Sequence, residues 1–336
     1  MTSRRTYLAA AMGAALQASP MGVLGQVSMG RKAPLSPAET NLLAKLMVYI
    51  PAGAGGGWDQ TGRQLGAAIQ SAGAVKQLDY ENKGGKGGTI GLADFTARYK
   101  GDPNALLVGG LVMVGALSLA RTEDMLKEVV PIARLTSDYM VLGVPTGSPI
   151  TSFKVLVEAL KKKADAVTFT GGSAGGVDHM LAAMLLRALR LDVSALQYKP
   201  TSSGKEALAL LQSGQATVAI SGYSEFRANI ESKLLTPLAV SSKRASFGIP
   251  SLRELGIDTE LANWRGVFAS ARTSPEQRET LRRVVVRATE TAAWRQTLLD
   301  NNWVGTLLYG KELQEFLSFE QWMASAVVTL LKLNKT

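Results

Sequence analysis

Cysteine is absent from the 336 residues, and histidine occurs once, at His179. The first absence excludes disulfides, thiolate chemistry, cysteine-ligated metals and a lipid-modified cysteine anchor. The second leaves almost no material for a zinc site or a histidine-dependent triad, so neither a metal nor a cofactor is expected. Aromatic residues are only 6% of the chain, which supplies no stacking platform for bases. The net charge of +10 is spread along the sequence rather than clustered, so nucleic acid is not expected as a partner. No later segment offers an uninterrupted apolar run of ~20 residues, so the mature chain is expected to be soluble.

The N-terminus reads as an address. Ser3-Arg4-Arg5-Thr6-Tyr7-Leu8 precedes an uncharged, alanine-rich stretch from Ala9 to Gly25. A charged start before a short, mildly apolar run is the pattern of a cleaved export signal, here over residues 1–25. The paired arginines resemble the twin-arginine type, with Tyr7 where that signal usually has phenylalanine.

Beyond a polar segment (26–45), strand-like runs recur at 46–50, 106–111, 130–135, 140–144, 166–170, 217–220 and 237–240. Between them lie helical stripes such as Phe153, Leu156, Val157 and Leu160, or Leu181, Met184, Leu185 and Leu189. Strands alternating with helices predict an α/β fold with parallel sheets covered on both faces. The length predicts two lobes. Ser274-Pro275-Glu276-Gln277 predicts a capped helix start, and a last helix is expected over 311–331, with Leu313, Phe316, Leu317, Met323, Val327 and Leu330 packing inward.

Glycine is in excess, at 34 residues against a usual share of ~7%. It clusters in three junctions ahead of helices: Pro51–Asp59, Gly84–Thr89 and Gly171–His179. Glycine lets backbone approach a ligand and point successive N–H groups at it, and a helix starting there adds a favourable dipole. Such loops suit a carboxylate or phosphate held by backbone rather than by charge. Asp59 and Asp178 stand where helix N-caps are expected. The first loop fails G-x-G-x-x-G because Trp58 takes the sixth place, and the second lacks a Lys-Ser/Thr ending because Gly87 follows Lys86. The third matches G-x-S-x-G around Ser173. A hydrolase of that type needs a histidine from far downstream, whereas His179 is only six residues on. No catalytic residue is therefore assigned, and a Ser173-dependent hydrolase stands only as an alternative.

The loops, with Gly109–Gly115, Tyr198-Lys199-Pro200, Ser221–Glu225, Leu238–Ser242 and Ala262–Phe268 in that order, resemble the substrate-binding proteins of tripartite tricarboxylate transporters (TctC-like, or Bug, receptors). The resemblance implies a type II-like periplasmic binding fold: two lobes, each a sheet flanked by helices, with ligand in the interdomain cleft. Lobe one would combine 46–139 with 264–336, and lobe two would be 140–263. It implies a periplasmic, monomeric receptor that binds a small di- or tricarboxylate and passes it to the transporter's membrane subunits. A carboxylate sensor serving a signalling receptor is the alternative. Carried over, the ligand contacts are Gly53, Ala54, Gly55, Gly56, Gly57, Trp58, Gly87 and Gly88 on lobe one. On lobe two they are Ser173, Ala174, Gly175 and Ser221.

Overall fold

The computed structural model describes residues 41–201 and 204–330; the expected export signal, residues 1–25, lies outside them. The first apolar run forms β1 (Leu43–Ile50), whose last residues are fully buried. It is followed by α1 (Gly57–Ser71), which turns Trp58, Thr61, Leu65, Ala68 and Ile69 inward at three- and four-residue spacing. Then come β2 (Val75–Asn82), α2 (Thr89–Arg98), β3 (Ala105–Gly110), α3 (Leu111–Ala120) and the long β4 (Val129–Pro145). The central part supplies α4 (Phe153–Lys162), β5 (Thr168–Gly171), α5 (Val177–Ala188), β6 (Gln197–Pro200), α6 (Gly204–Gln212), β7 (Val218–Gly222), α7 (Tyr223–Glu231) and β8 (Leu235–Val240). The chain ends in β9 (Ala262–Ser270), α8 (Pro275–Thr289), α9 (Ala292–Asp300), β10 (Val304–Leu308) and α10 (Gly310–Leu330).

The strands run in the order β2-β1-β3-β9-β4-β7-β5-β6, with β10 and β8 also paired to β4. The expectation of parallel sheets holds only at the two ends. β1 pairs with β2 and β3, and β5 with β6 and β7, in parallel. Every pairing of β4 and β9 is antiparallel. The reason is that β4 and β9 are not joined to their neighbours by the strand–helix–strand crossovers that enforce parallel order.

The two separate runs expected at 130–135 and 140–144 are one strand. Its residues up to Tyr139 pair with β9, and from Met140 onward it pairs with β7 and β8. Thr136, Ser137 and Asp138 look like a polar break in the sequence, yet all three are buried where the strand passes from one set of partners to the other. Pro131 is accommodated at an irregularity in the β4–β9 register.

The capped helix start is as expected. Ser274 Oγ accepts from the Gln277 N–H, the Gln277 side chain accepts from the Ser274 N–H, and Pro275 opens α8. On α10, Leu313, Leu317 and Val327 of the expected stripe are buried, Phe316 and Met323 are half-buried, and Ala324 is buried beside them. Among the described residues no helix is long and apolar enough to cross a membrane.

Candidate functional site

All three glycine loops stand between a strand end and a helix start, and a continuous series of close approaches connects them. A β-carbon built on Gly84 would lie 2.8 Å from the Gly53 nitrogen, so the first two loops touch through backbone. Gly88, at φ 90°, lies against the Trp58 ring, where a β-carbon would fall 2.5 Å from Cζ3. Gly87, at φ 63°, packs on Ala116 of α3. Gly115 of α3 faces the third loop, with its β-carbon position 2.6 Å from the Gly175 carbonyl oxygen. Gly171 in turn abuts the Ile220 carbonyl, next to Ser221 on β7. The three glycine loops, α3 and the end of β7 are thus joined in one series of contacts, although 168 positions separate Gly53 from Ser221 in sequence.

Within the cluster the residues have different duties. Gly53, Ala54, Gly55 and Gly56 are exposed, whereas Trp58 is buried and belongs to the core. The expected N-cap roles of Asp59 and Asp178 are corrected: the caps are Gly56 and Gly176, and neither cap has a side chain to offer. Asp59 is the third residue of α1 and reaches back, Oδ2 accepting from the Gly55 N–H at 2.8 Å and Oδ1 from Arg63 and Asn82 at 2.9 Å each. Burial alone would raise its carboxyl, but these hydrogen bonds outweigh burial and hold it below the usual range. Asp178 is the second residue of α5 and accepts from the Gly172 N–H at 2.6 Å. A helix that begins at a glycine leaves the cap position without a side chain, so the next acid along fastens the loop instead.

The third loop is closed by its own contacts. Gly176 donates to the Ser173 carbonyl at 2.9 Å, Gly175 donates to His179 Nδ1 at 3.0 Å, and the Tyr198 hydroxyl donates to the Gly172 carbonyl at 2.9 Å. Together with the bond to Asp178, these contacts use the N–H groups of Gly172, Gly175 and Gly176. The N–H groups of Ser173 and Ala174 and the Ser173 hydroxyl have no protein partner among the described residues. Gly175, expected as a ligand contact, therefore has its N–H committed to shaping the loop. Ser221 is buried on β7 opposite Val141.

His179 lies flat on Tyr198, with ring centroids 4.3 Å apart. Burial pushes its pKa down to about 4, so it stays neutral at physiological pH. With Nδ1 occupied by the Gly175 N–H, it buttresses the loop and does not serve as a base for Ser173. Burial, reinforced by Glu225 and Asp138, raises the Asp178 carboxyl to about 7 against the pull of the Gly172 N–H.

Sequence reading missed one buried pair beside the first loop. Arg265 Nη2 of β9 meets Asp138 Oδ2 of β4 at 3.2 Å, with the two side chains only 4% and 1% exposed. The guanidinium lies over the Trp303 ring, 4.7 Å from its centroid, and against Gly57, whose β-carbon position is 3.0 Å from Nη2. Arg265 Nη1 and Asp138 Oδ1 are buried without a hydrogen-bond partner. Burial raises the Asp138 carboxyl to about 6, Arg265 opposing. The available signal was Arg265, the one charge in β9, and Asp138 amid the apolar residues of β4, since buried charges occur almost only in pairs.

No group of three potential metal ligands occurs among the described residues. A groove of about 590 Å³ between α4, the end of α5 and residues 255–257 is lined by Phe153, Lys154, Lys161, Arg190 and their neighbours. None of the glycine loops contributes to it.

The family model described as the tripartite tricarboxylate transporter family receptor matches residues 71–324. A UPF0065 protein from the TAR-I ttuE-ttuC' intergenic region of Agrobacterium vitis is 28% identical over 248 residues, covering 70% of this chain and 68% of that protein. The solved structure of the periplasmic binding protein BugD superposes with a TM-score of 0.72 at 21% identity, covering 86% of this chain and 98% of BugD. MatC of Rhodopseudomonas palustris, solved with bound malate, superposes with a TM-score of 0.70 at 22% identity, covering 87% and 100%. The fold is that of the α/β periplasmic binding proteins.

Proposed function

Because this chain belongs to the tripartite tricarboxylate transporter receptor family, a family of non-enzymatic solute-binding proteins, we propose that it captures a small di- or tricarboxylate and delivers it to a transporter's membrane subunits. The observation that carries this reading is the meeting of three glycine loops with the starts of α1 and α5. The N–H groups of Ser173 and Ala174, the Ser173 hydroxyl and the first-turn N–H groups of α1 together suit an anion held by backbone. Malate bound in MatC supports a dicarboxylate.

In this reading Gly53–Gly57, Gly87 and Gly88 face the ligand from one lobe (46–139 with 264–336). Ser173, Ala174 and Ser221 face it from the other (140–263). Trp58 acts through packing beneath Gly88. Gly55 and Gly175 shape their loops. The change of strand partners at Tyr139–Met140 supports a hinge there, about which the lobes close. Function in the periplasm as a monomer, after removal of residues 1–25, completes the proposal.

The experiment is a thermal-shift screen of the mature protein against citrate, tricarballylate, succinate, malate, adipate, glutamate and phosphate. Ligand bound only by the folded state raises Tm by mass action, about 2.7 kcal/mol of stability at a hundredfold excess over Kd. At least one carboxylate is expected to raise Tm. A screen in which none of the carboxylates raises Tm would overturn the proposal.

A further inference from the structure

The buried pair beside the first loop does more than join two strands. A guanidinium that is 4% exposed has lost its water and needs its charge and its five N–H donors answered from within. Asp138 answers with one oxygen on one nitrogen, at 3.2 Å, rather than with the two-pronged fork that arginine and a carboxylate can form. Nη1 is left buried without an acceptor.

The surroundings add to the imbalance. Nη2 lies against Gly57, the first residue of α1, where free backbone N–H groups and the helix dipole place partial positive charge. The Asp138 carboxylate offsets the guanidinium, while the Asp59 carboxylate in the first turn of α1 is committed to the Gly55 N–H, Arg63 and Asn82. The Trp303 ring under the guanidinium and the Gly57 backbone beside it leave the plane of the group little freedom to swing away. An anion at the start of α1 would satisfy Nη1 and the helix end together.

We propose that Arg265 is the carboxylate-reading residue of the binding site, Nη1 donating to a ligand oxygen at the start of α1 while Asp138 holds the guanidinium through Nη2. The inference deepens the receptor reading and rests on it. It assigns the ligand a fully ionised carboxylate at this end of the site, in addition to whatever the third loop holds.

The test is calorimetric titration of wild type, Arg265→Gln and Arg265→Lys with malate, succinate, adipate and citrate. Succinate is then compared with its half-amide, succinamate. Wild type is expected to prefer succinate by about tenfold or more, the scale of a hydrogen bond to a charged group. In Arg265→Gln that preference should collapse towards equality, and affinity for the best acid should fall about a hundredfold. Arg265→Lys retains charge without the planar fork and is expected to recover only part of the loss; it carries the test if the glutamine variant does not fold. A variant that binds as tightly as wild type, or keeps the same preference for succinate, overturns the assignment while the receptor reading stands. Wild type that binds none of the four acids overturns both.

Discussion

At the scale of single residues, the third loop concentrates opposing titrations. Asp178 is raised from 3.8 to about 7 in the folded protein. Between those values the folded chain keeps a proton that the unfolded chain has released, so this group's contribution to stability declines as pH rises through the window. His179 is lowered from 6.5 to about 4. There the unfolded chain holds the extra proton, and stability climbs as pH rises from about 4 to 6.5. The two trends offset each other over most of their range. Asp178→Asn keeps an oxygen for the Gly172 N–H and removes the falling limb. Its stability relative to wild type should increase with pH up to about 7 and then level off, by a few kcal/mol at most given ~1.4 kcal/mol per pKa unit. Denaturant midpoints measured across that range check it, and a pH-independent difference would refute it.

Ser173 is the other residue with a separable role. Its hydroxyl has no protein partner among the described residues, so its loss should leave apo stability unchanged. Ser173→Ala is expected to weaken carboxylate binding by ~1 kcal/mol, about fivefold, in a calorimetric titration. Unchanged affinity would place the ligand elsewhere.

At the scale of elements, the turn that leads into α2 is doubly constrained. Gly88 combines a left-handed backbone with the Trp58 ring 2.5 Å from where a β-carbon would stand. The Gly88→Ala variant must both strain its φ and displace the indole. A loss of stability of about 1–3 kcal/mol is expected from overpacking alone. Ligand affinity should fall with it, because Trp58 stands directly after Gly57 on α1. Chemical denaturation and titration read the two effects. A stable variant with normal binding would show that the first two loops are not mechanically linked.

At the scale of the whole molecule, β4 is the element that everything shares. Its first part lies with β9 and β10 and its second with β7 and β8, so rotation of one half of the fold against the other would be absorbed near Tyr139–Met140. If the lobes close on ligand as proposed, small-angle scattering should record a fall in radius of gyration when a binding acid is added, from a value near the ~20 Å of a compact chain this long. An unchanged radius at saturation would mean that the site is filled without closure.

Much of this was already legible in the residues. The glycine loops, the α/β alternation, the capping box at Ser274 and the buried stripe of α10 are local patterns, because turn conformation, helix capping and side-chain periodicity depend on a few neighbouring residues. The order of the loop motifs led to the correct family. Three features were decided only by tertiary structure. β4 and β9 run antiparallel to their neighbours because chain connectivity, not composition, sets strand direction. Thr136–Asp138 look like a break in the pattern and are buried because β4 continues between two sets of partners. Arg265 and Asp138, 127 residues apart, each look like a stray charge until the fold pairs them and sets Arg265 against Gly57 of the first glycine loop. A buried charge has no meaning in a sequence until its partner, its burial and the helix end it faces are all in place.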